Sequence, residues 1–287
     1  MKLRPMESTD VGAAEEVWAD AFTTMRVSHS LPIDPRTAES IARMHSRMAH
    51  LLHTDPEGSW VAQDESGKVV GFTQALVRDK FWVLALLGVS PGCQEQGTGT
   101  SLLNTALAYG SRELPGMIMA SRDPRAMRAY SRAGFDLQPA VAARGQVSTH
   151  RLARAARVRD GRSRDYEFMG ALDRRARGSD RRVDIEYLLD NGCRLLVIEG
   201  EGFIVAGGGR PMMLSADNEQ AAVDLLSACF AEADPNEVIE VSWITAAQQW
   251  AITVALDAGL TLQPTGPLMT RGMASPPPYY MPSGMHG

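Results

Sequence analysis

A chain of 287 residues, 44% hydrophobic and 22% charged, has the composition of a globular protein and the length of two domains, each able to bury its own core. Its formal charge of −5 gives no general attraction to nucleic acid or to an anionic membrane. No apolar run reaches the length of a bilayer span, Met1–Asp10 lacks the apolar stretch of a signal peptide, and Cys93, Cys193 and Cys229 are too scattered for a disulfide or metal framework, so the cytoplasm is the expected compartment.

Lys2–Pro5 reads as a short strand. Ser8-Thr9-Asp10 can cap a helix running from about Val11 to Phe22. Thr23–Pro35 is expected to be a loop, and Arg36–His53 a second helix. Trp60–Asp64 and Lys68–Val77 form a predicted hairpin around Glu65-Ser66-Gly67. Phe81–Val89 is an apolar run and reads as a buried strand. A glycine-bearing loop follows, with Gln94, Gly97 and Gly99, and then a helix from Thr100 to Tyr109. Met117–Ala120 is a short buried strand. Asp123 caps a helix with Pro124 at its first position; Gly134 ends that helix, and Phe135–Pro139 starts the last strand of this half.

Strand, glycine loop and helix start make a device for holding an anion. The first N–H groups of a helix lack internal partners, the helix dipole adds positive potential, and glycine lets the backbone approach closely. The spelling excludes a P-loop and the dinucleotide fingerprint. It resembles the acyl-CoA loop of the GNAT superfamily of N-acyltransferases, V-x-P-x-x-[QR]-x-x-G-x-[GA], which Val89, Pro91, Gln94, Gly97 and Gly99 match position for position. Asp123-x-x-Ala126-x-x-x-Tyr130-x-x-x-Gly134-Phe135 resembles the second signature of that superfamily, with Asp123 in place of the usual asparagine. The order β-α-α-β-β-β-α-β-α-β is also that of the GNAT fold, in which the strands ending near Val89 and Ala120 splay apart around the pantetheine arm.

The resemblance implies acetyl-CoA as co-substrate, no metal, and direct transfer to an amine. Its cofactor contacts would come from Gly88, Val89, Gln94, Glu95, Gln96, Gly97, Thr98, Gly99, Thr100, Ser101 and Asp123. Backbone N–H groups near Gly88 and Val89 would polarise the carbonyl, and Tyr130 would be the general acid. No acid lies in Phe81–Val89, so a base is not legible there. Water is one route for the proton; the terminal carboxylate at Gly287, or His286, in the tail Pro276–Gly287 is another. A non-catalytic acyl-CoA sensor using the same groove is the alternative from a different class.

The chain also repeats itself. Ala133-Gly-Phe-Asp-Leu-Gln-Pro139 recurs as Ala258-Gly-Leu-Thr-Leu-Gln-Pro264, 125 residues on. The expectation is therefore an α/β (α+β) chain of two tandem GNAT folds, each a mixed, mostly antiparallel twisted sheet flanked by helices. Its divisions would be a catalytic domain over 1–147, a linker over 148–154, a degenerate copy over 155–274 and a proline-rich tail over 275–287. In the second copy Asp217, Gln220 and Ala222 stand roughly where the first has Gln94, Gly97 and Gly99, and Ala255 aligns with Tyr130. That copy is expected not to bind CoA in the usual way and to shape the acceptor site instead.

His45, His50 and His53 do not converge on one point of a helix, so zinc is not expected. His45 and His50 are candidates for acceptor binding, as is Trp250, which with Trp243 could line a groove between the halves. Residues 144–182 hold twelve arginines against five acids. They form either a solvated linker and helix face or a docking surface for an acidic partner. The acceptor is expected to be a small-molecule amine or a peptide, with no nucleic acid or membrane partner, and the protein a monomer or homodimer.

Overall fold

The computed structural model describes residues 1–33, 35–152, 155–273 and 276–287. Asp34, Ala153 and Arg154 of the expected loop and linker, Ala274 at the expected end of the second copy and Ser275 at the expected start of the tail lie outside the described residues.

The first half follows the expected order: β1 (Lys2–Pro5), α1 (Val11–Ser28), α2 (Ala38–Thr54), β2 (Ser59–Gln63), β3 (Val69–Arg78), β4 (Phe81–Val89), α3 (Thr98–Tyr109), β5 (Gly116–Met119), α4 (Pro124–Arg132) and β6 (Asp136–Gln138). The largest boundary shift is in α1, which continues past Phe22 to Ser28, because Trp18, Phe22 and Met25 keep the helical spacing through the expected loop. β4 is buried on both sides. Phe81, Val83 and Ala85 pack with Met44, Met48 and Leu51 of α2, while Trp82 and Leu84 pack with Leu103, Ala106 and Leu107 of α3. A run of apolar residues without polar alternation is what a strand covered by helices on both faces requires.

β7 (Ala140–Gln146) follows, and then the second half: β8 (Arg159–Asp160), α5 (Tyr166–Arg177), α6 (Arg182–Asp190), β9 (Arg194–Ile198), β10 (Gly202–Gly207), β11 (Arg210–Ala216), α7 (Glu219–Phe230), β12 (Val238–Thr245), α8 (Gln249–Asp257), β13 (Thr261–Pro264) and β14 (Leu268–Arg271). The tail adds β15 (Tyr280–Met281). Among the described residues no helix is long and apolar enough to cross a membrane.

Sheet membership crosses the expected division at 148–154. One sheet has the order β1-β2-β3-β4-β5-β14-β6, a second β15-β11-β10-β9-β8, and a third β12-β7-β13. After Pro139, β7 leaves its own half and lies between β12 and β13. After Pro264, β14 does the converse and lies between β5 and β6. Each half thus lends its last long strand to the other.

Polar contacts pin the halves further. Arg78 donates to both carboxylate oxygens of Asp184, each at 2.8 Å, and to Asp55 at 2.8 and 3.0 Å. Arg181, fully buried, donates to both oxygens of Asp173 at 2.8 Å and to the Gly287 carbonyl at 2.8 Å. The arginines of 144–182 are largely spent on such pairs. Arg144 meets Glu240, Arg157 meets Glu201, Arg159 meets Asp165 and Glu199, Arg174 meets Asp79, Arg175 meets Asp217, and Arg182 meets Glu186. The local excess of positive charge is met by acids that are mostly distant in sequence.

Candidate active site

A cleft of about 700 Å³ opens where β4 and β5 part. The two strands run parallel and pair only across Trp82–Leu84 and Gly116–Ile118. At the next residue, Ala85, β4 carries a bulge against β3, since Gln74 pairs with Leu86 and Ala75 with Leu84. A bulge bends its strand and breaks the pairing pattern, which fits the divergence beginning there. From Ala85 to Val89 no strand among the described residues covers β4 on the cleft side.

Strand alternation says which backbone groups face the cleft. The Ser90 N–H donates to the Val70 carbonyl of the β3 side, and the Leu86 carbonyl accepts from the side-chain hydroxyl of Thr73 on β3. Successive residues point opposite ways. The N–H groups of Leu87 and Val89 therefore face the cleft, and that of Gly88 faces β3. Gly88 lines the cleft, and the N–H groups that face it there are those of its neighbours Leu87 and Val89. Its lack of a side chain has a packing reason, since a Cβ would meet the Phe72 ring at 2.8 Å.

The glycine loop closes on itself. Gln94 donates its side-chain amide to the Val89 carbonyl at 2.9 Å, so it braces the loop against the strand. Gly97, at φ +83°, is the N-cap of α3 and contributes no side-chain cap. The first N–H groups of α3, from Thr98 to Thr100, have no intrahelical acceptor and no capping oxygen. Thr98 itself is buried, and its hydroxyl is held by the Cys93 carbonyl at 3.3 Å.

Tyr130 lines the cleft from α4 and is largely buried, yet among the described residues its hydroxyl makes no hydrogen bond. Burial, and next the Asp123 charge, push its pKa up, so the phenol remains protonated at neutral pH. Asp123 caps α4 through the Arg125 N–H at 2.8 Å and forms a two-pronged pair with the Arg125 guanidinium. Burial pushes the Asp123 carboxyl up, but the bonds and charge of Arg125 outweigh this and hold it below its usual value. Asp123 is thus committed within α4, whereas the asparagine usual in the resembled family would carry no charge to pair.

Of the residues expected from sequence, Gly88, Val89, Gln94, Glu95, Gly97, Gly99, Thr100, Asp123 and Tyr130 come together around the cleft. Gln96, Thr98 and Ser101 do not line it. His45 lies in a shallow groove between α1 and α2, with its Nε2 4.0 Å from Glu15. His50 is turned to the other half: its Nε2 is 3.0 Å from Asp184 Oδ1, and its ring stacks on Tyr187 at 4.2 Å. Trp250 is buried in the core of the second half. His286 and Gly287 are placed away from the cleft lining, packed between the halves. His50, Asp184 and His286 bring ligand-type atoms within 4.8 Å of one another. Both Asp184 oxygens already accept from Arg78, whose cation opposes a divalent ion there.

Sequence reasoning missed two sets of lining residues. Arg125, Arg128 and Arg132 present one face of α4 to the cleft, joined by Arg112; the spacing i, i+3, i+7 is the signal that could have found them. Ala21, Phe22 and Met25 close the opposite side from α1. Met25 fell in the expected loop, although it continues the apolar spacing of Trp18 and Phe22.

Residues 20–135 match the Acetyltransferase (GNAT) family. Among solved structures, a Pyrococcus horikoshii protein provisionally described as an acetyltransferase is similar over 100% of this chain and 95% of its own, with a TM-score of 0.80 at 20% identity. A GCN5-related N-acetyltransferase from Sphaerobacter thermophilus is similar over 94% of this chain and 95% of its own, at 0.60 and 12%. A tandem GNAT protein from the clavulanic acid biosynthesis pathway is similar over 96% of this chain and 99% of its own, at 0.57 and 14%. No curated protein sequence matches. At such identities the likeness is one of fold: an α+β protein with mixed sheets that carries two GNAT-like folds.

Proposed function

We propose, from the premise that residues 20–135 form a GNAT acetyltransferase domain, that the protein is an acetyl-CoA-dependent N-acetyltransferase whose first half transfers the acetyl group directly to a primary amine of a small molecule or peptide. The observation that carries this reading is the meeting, in one cleft, of an uncovered strand edge, an uncapped helix start and a largely buried tyrosine whose hydroxyl has no hydrogen-bond partner among the described residues.

Each part has a chemical task. The N–H groups at the start of α3 suit a diphosphate, and the α4 arginines add positive charge beside it. The uncovered edge of β4 offers N–H and carbonyl groups to the amides of an extended arm. The Leu87 and Val89 N–H groups face the cleft and can stabilise a developing oxyanion. Tyr130 can donate its proton to the departing thiolate; its raised pKa guarantees the protonated form. Among the described residues the acids lining the cleft, Glu95 and Asp123, belong to the glycine-loop and α4 end. The amine therefore loses its proton to solvent before or during attack, and activity rises with pH through the acceptor's own pKa.

The lack of a carboxylate near Leu84–Leu87 among the described residues is also what favours the second reading, an acyl-CoA sensor without turnover. A thiol-release assay over a panel of amines separates the two. Tyr130→Phe should lower kcat by about 10²–10⁴-fold while leaving the affinity for CoA unchanged. Unchanged turnover would remove the acid role of Tyr130, and CoA binding with no turnover on any amine would favour the sensor.

A further inference from the structure

We infer that the groove of the second half corresponding to the acyl-CoA cleft is a peptide site, filled by the chain's own residues Pro277–Met281. The inference rests on reading the first-half cleft as the acyl-CoA site.

The correspondence is fixed by hydrogen bonds rather than by sequence alone. Ser90 N–H donates to Val70 near the start of β3; Asp217 N–H donates to Glu201 just before β10. Val89 pairs with Gly71, and Ala216 with Gly202. Each of these glycines lies under a leucine, Leu102 or Leu225. Ala216 is thus the counterpart of Val89, Ser215 of Gly88 and Leu214 of Leu87. Helix α8 lies 125 residues after α4, start to start and end to end.

On this frame the tail takes the path left open in the first half. The Ala216 N–H, counterpart of the cleft-facing Val89 N–H, donates to the Tyr279 carbonyl at 2.9 Å. Tyr280 and Met281 pair with Ser215 and Leu214 along the edge of β11. At the start of α8, Gln248 and Trp250 donate side-chain N–H groups to the Pro277 and Pro278 carbonyls at 2.9 and 2.8 Å. The tail offers carbonyls to a groove that offers donors, and prolines bring no N–H of their own to satisfy.

The groove has also lost its means of holding a diphosphate. Only Asp217 and Asn218 separate β11 from α7, against residues 90–97 in the first half. Asp217 takes the place of Ser90 rather than of Gln94, and Gln220 and Ala222 lie within α7. Asn218 caps that helix by accepting from the Ala221 N–H, and Glu219 puts a negative charge in its first turn. Beyond β15 the chain runs between the halves: Ser283, Met285 and His286 are buried, and Met285 and Tyr280 pack in the core of the first half with Val83. The former cofactor groove therefore docks a clasp that reaches beneath β4.

Two measurements on the full chain test this. Calorimetric titration should give one CoA per chain, and hydrogen exchange should show the segment 276–287 protected. Trp250→Phe, which removes one donor to the tail, should speed exchange of that segment at least about tenfold while changing CoA affinity less than twofold. Two CoA per chain, or exchange in the unmodified protein as fast as in an open loop, would overturn the inference. No CoA binding at all would instead refute the reading of the first-half cleft, and the exchange measurement would still decide the fate of the peptide site.

Discussion

His286 offers a quantitative test of how the tail is packed. The residue is 1% exposed, its Nδ1 lies 3.3 Å from Ser283 Oγ, and its Nε2 is buried without a hydrogen-bond partner among the described residues. The rings of His50 and Tyr187 lie 5.9 Å from its own, each roughly edge to face. Asp184 favours its cation, while His50, Arg47 and Arg78 oppose it; burial is the largest effect, and the imidazole is driven down from 6.5 to about 4. The folded state therefore resists a proton that the unfolded chain takes up below pH 6.5. The stabilisation is present above that pH and is lost as the pH falls from 6.5 towards 4. With those two values the loss between pH 7 and pH 5 is about 2 kcal/mol.

Urea unfolding at both pH values would measure it, in the unmodified protein and in His286→Gln. The carboxylates titrate in both proteins, so the difference between the two acid-induced losses isolates the imidazole. The variant should lose about 2 kcal/mol less on acidification. An equal loss in both would refute the burial argument. The same variant separates a packing role from a chemical one: folded His286→Gln protein should turn over at pH 8, and a folded but inactive variant would place His286 in the reaction.

Two further substitutions probe the cleft and the join between the halves. Gly97→Ala meets no atom within 4 Å, so its cost is the left-handed backbone at φ +83° alone, about 1–2 kcal/mol. A lower melting temperature with weaker CoA binding is expected, and unchanged CoA affinity would detach Gly97 from the site. Asp184→Ala leaves Arg78 with the Asp55 carboxylate, the Thr54 hydroxyl and the Val77 carbonyl, and takes from His50 its Asp184 acceptor; removing one partner of such a buried pair costs about 3–5 kcal/mol, and a smaller loss of unfolding free energy in urea would show that the network relaxes.

Legibility in the sequence followed the range of the interactions. α4 could be bounded at both ends, because Asp123, Pro124 and Gly134 act on their own neighbours. The glycine loop and Tyr130 were legible for the same reason: the chemistry is spelled within a few residues. Gly88 was legible as a cleft residue, but the direction of its N–H depends on pairing with β3, which the stretch itself does not encode. The arginines of 144–182 looked like a free positive surface because Asp79, Asp217, Glu201 and Glu240 are distant in sequence. Pro276–Pro278 mark the expected proline-rich tail, and the segment just after them adds a strand to β11. A proline-rich segment can line a sheet edge when its carbonyls, rather than its N–H groups, face the partner.

The exchange of β7 and β14 escaped the sequence for a different reason. An apolar strand following Gln-Pro at 139 and again at 264 would satisfy either sheet, so the repeat is compatible with exchange and with its absence. Once exchanged, the strands alter what the second half does. β14 pairs with β5 from Gly116 to Met119, the strand that forms one wall of the cleft. The Ala120 N–H donates to the Pro267 carbonyl, and Trp243 of β12 donates its indole N–H to the Ala120 carbonyl at 3.3 Å. Trp243 holds a left-handed backbone, φ +58°, where β12 bulges against β7. The family match ends at residue 135, but the cleft wall within it is hydrogen-bonded on its far side by residues 267–271 and braced by residue 243. A change in the second half can therefore reach the first-half cleft through β5 without touching any bound molecule.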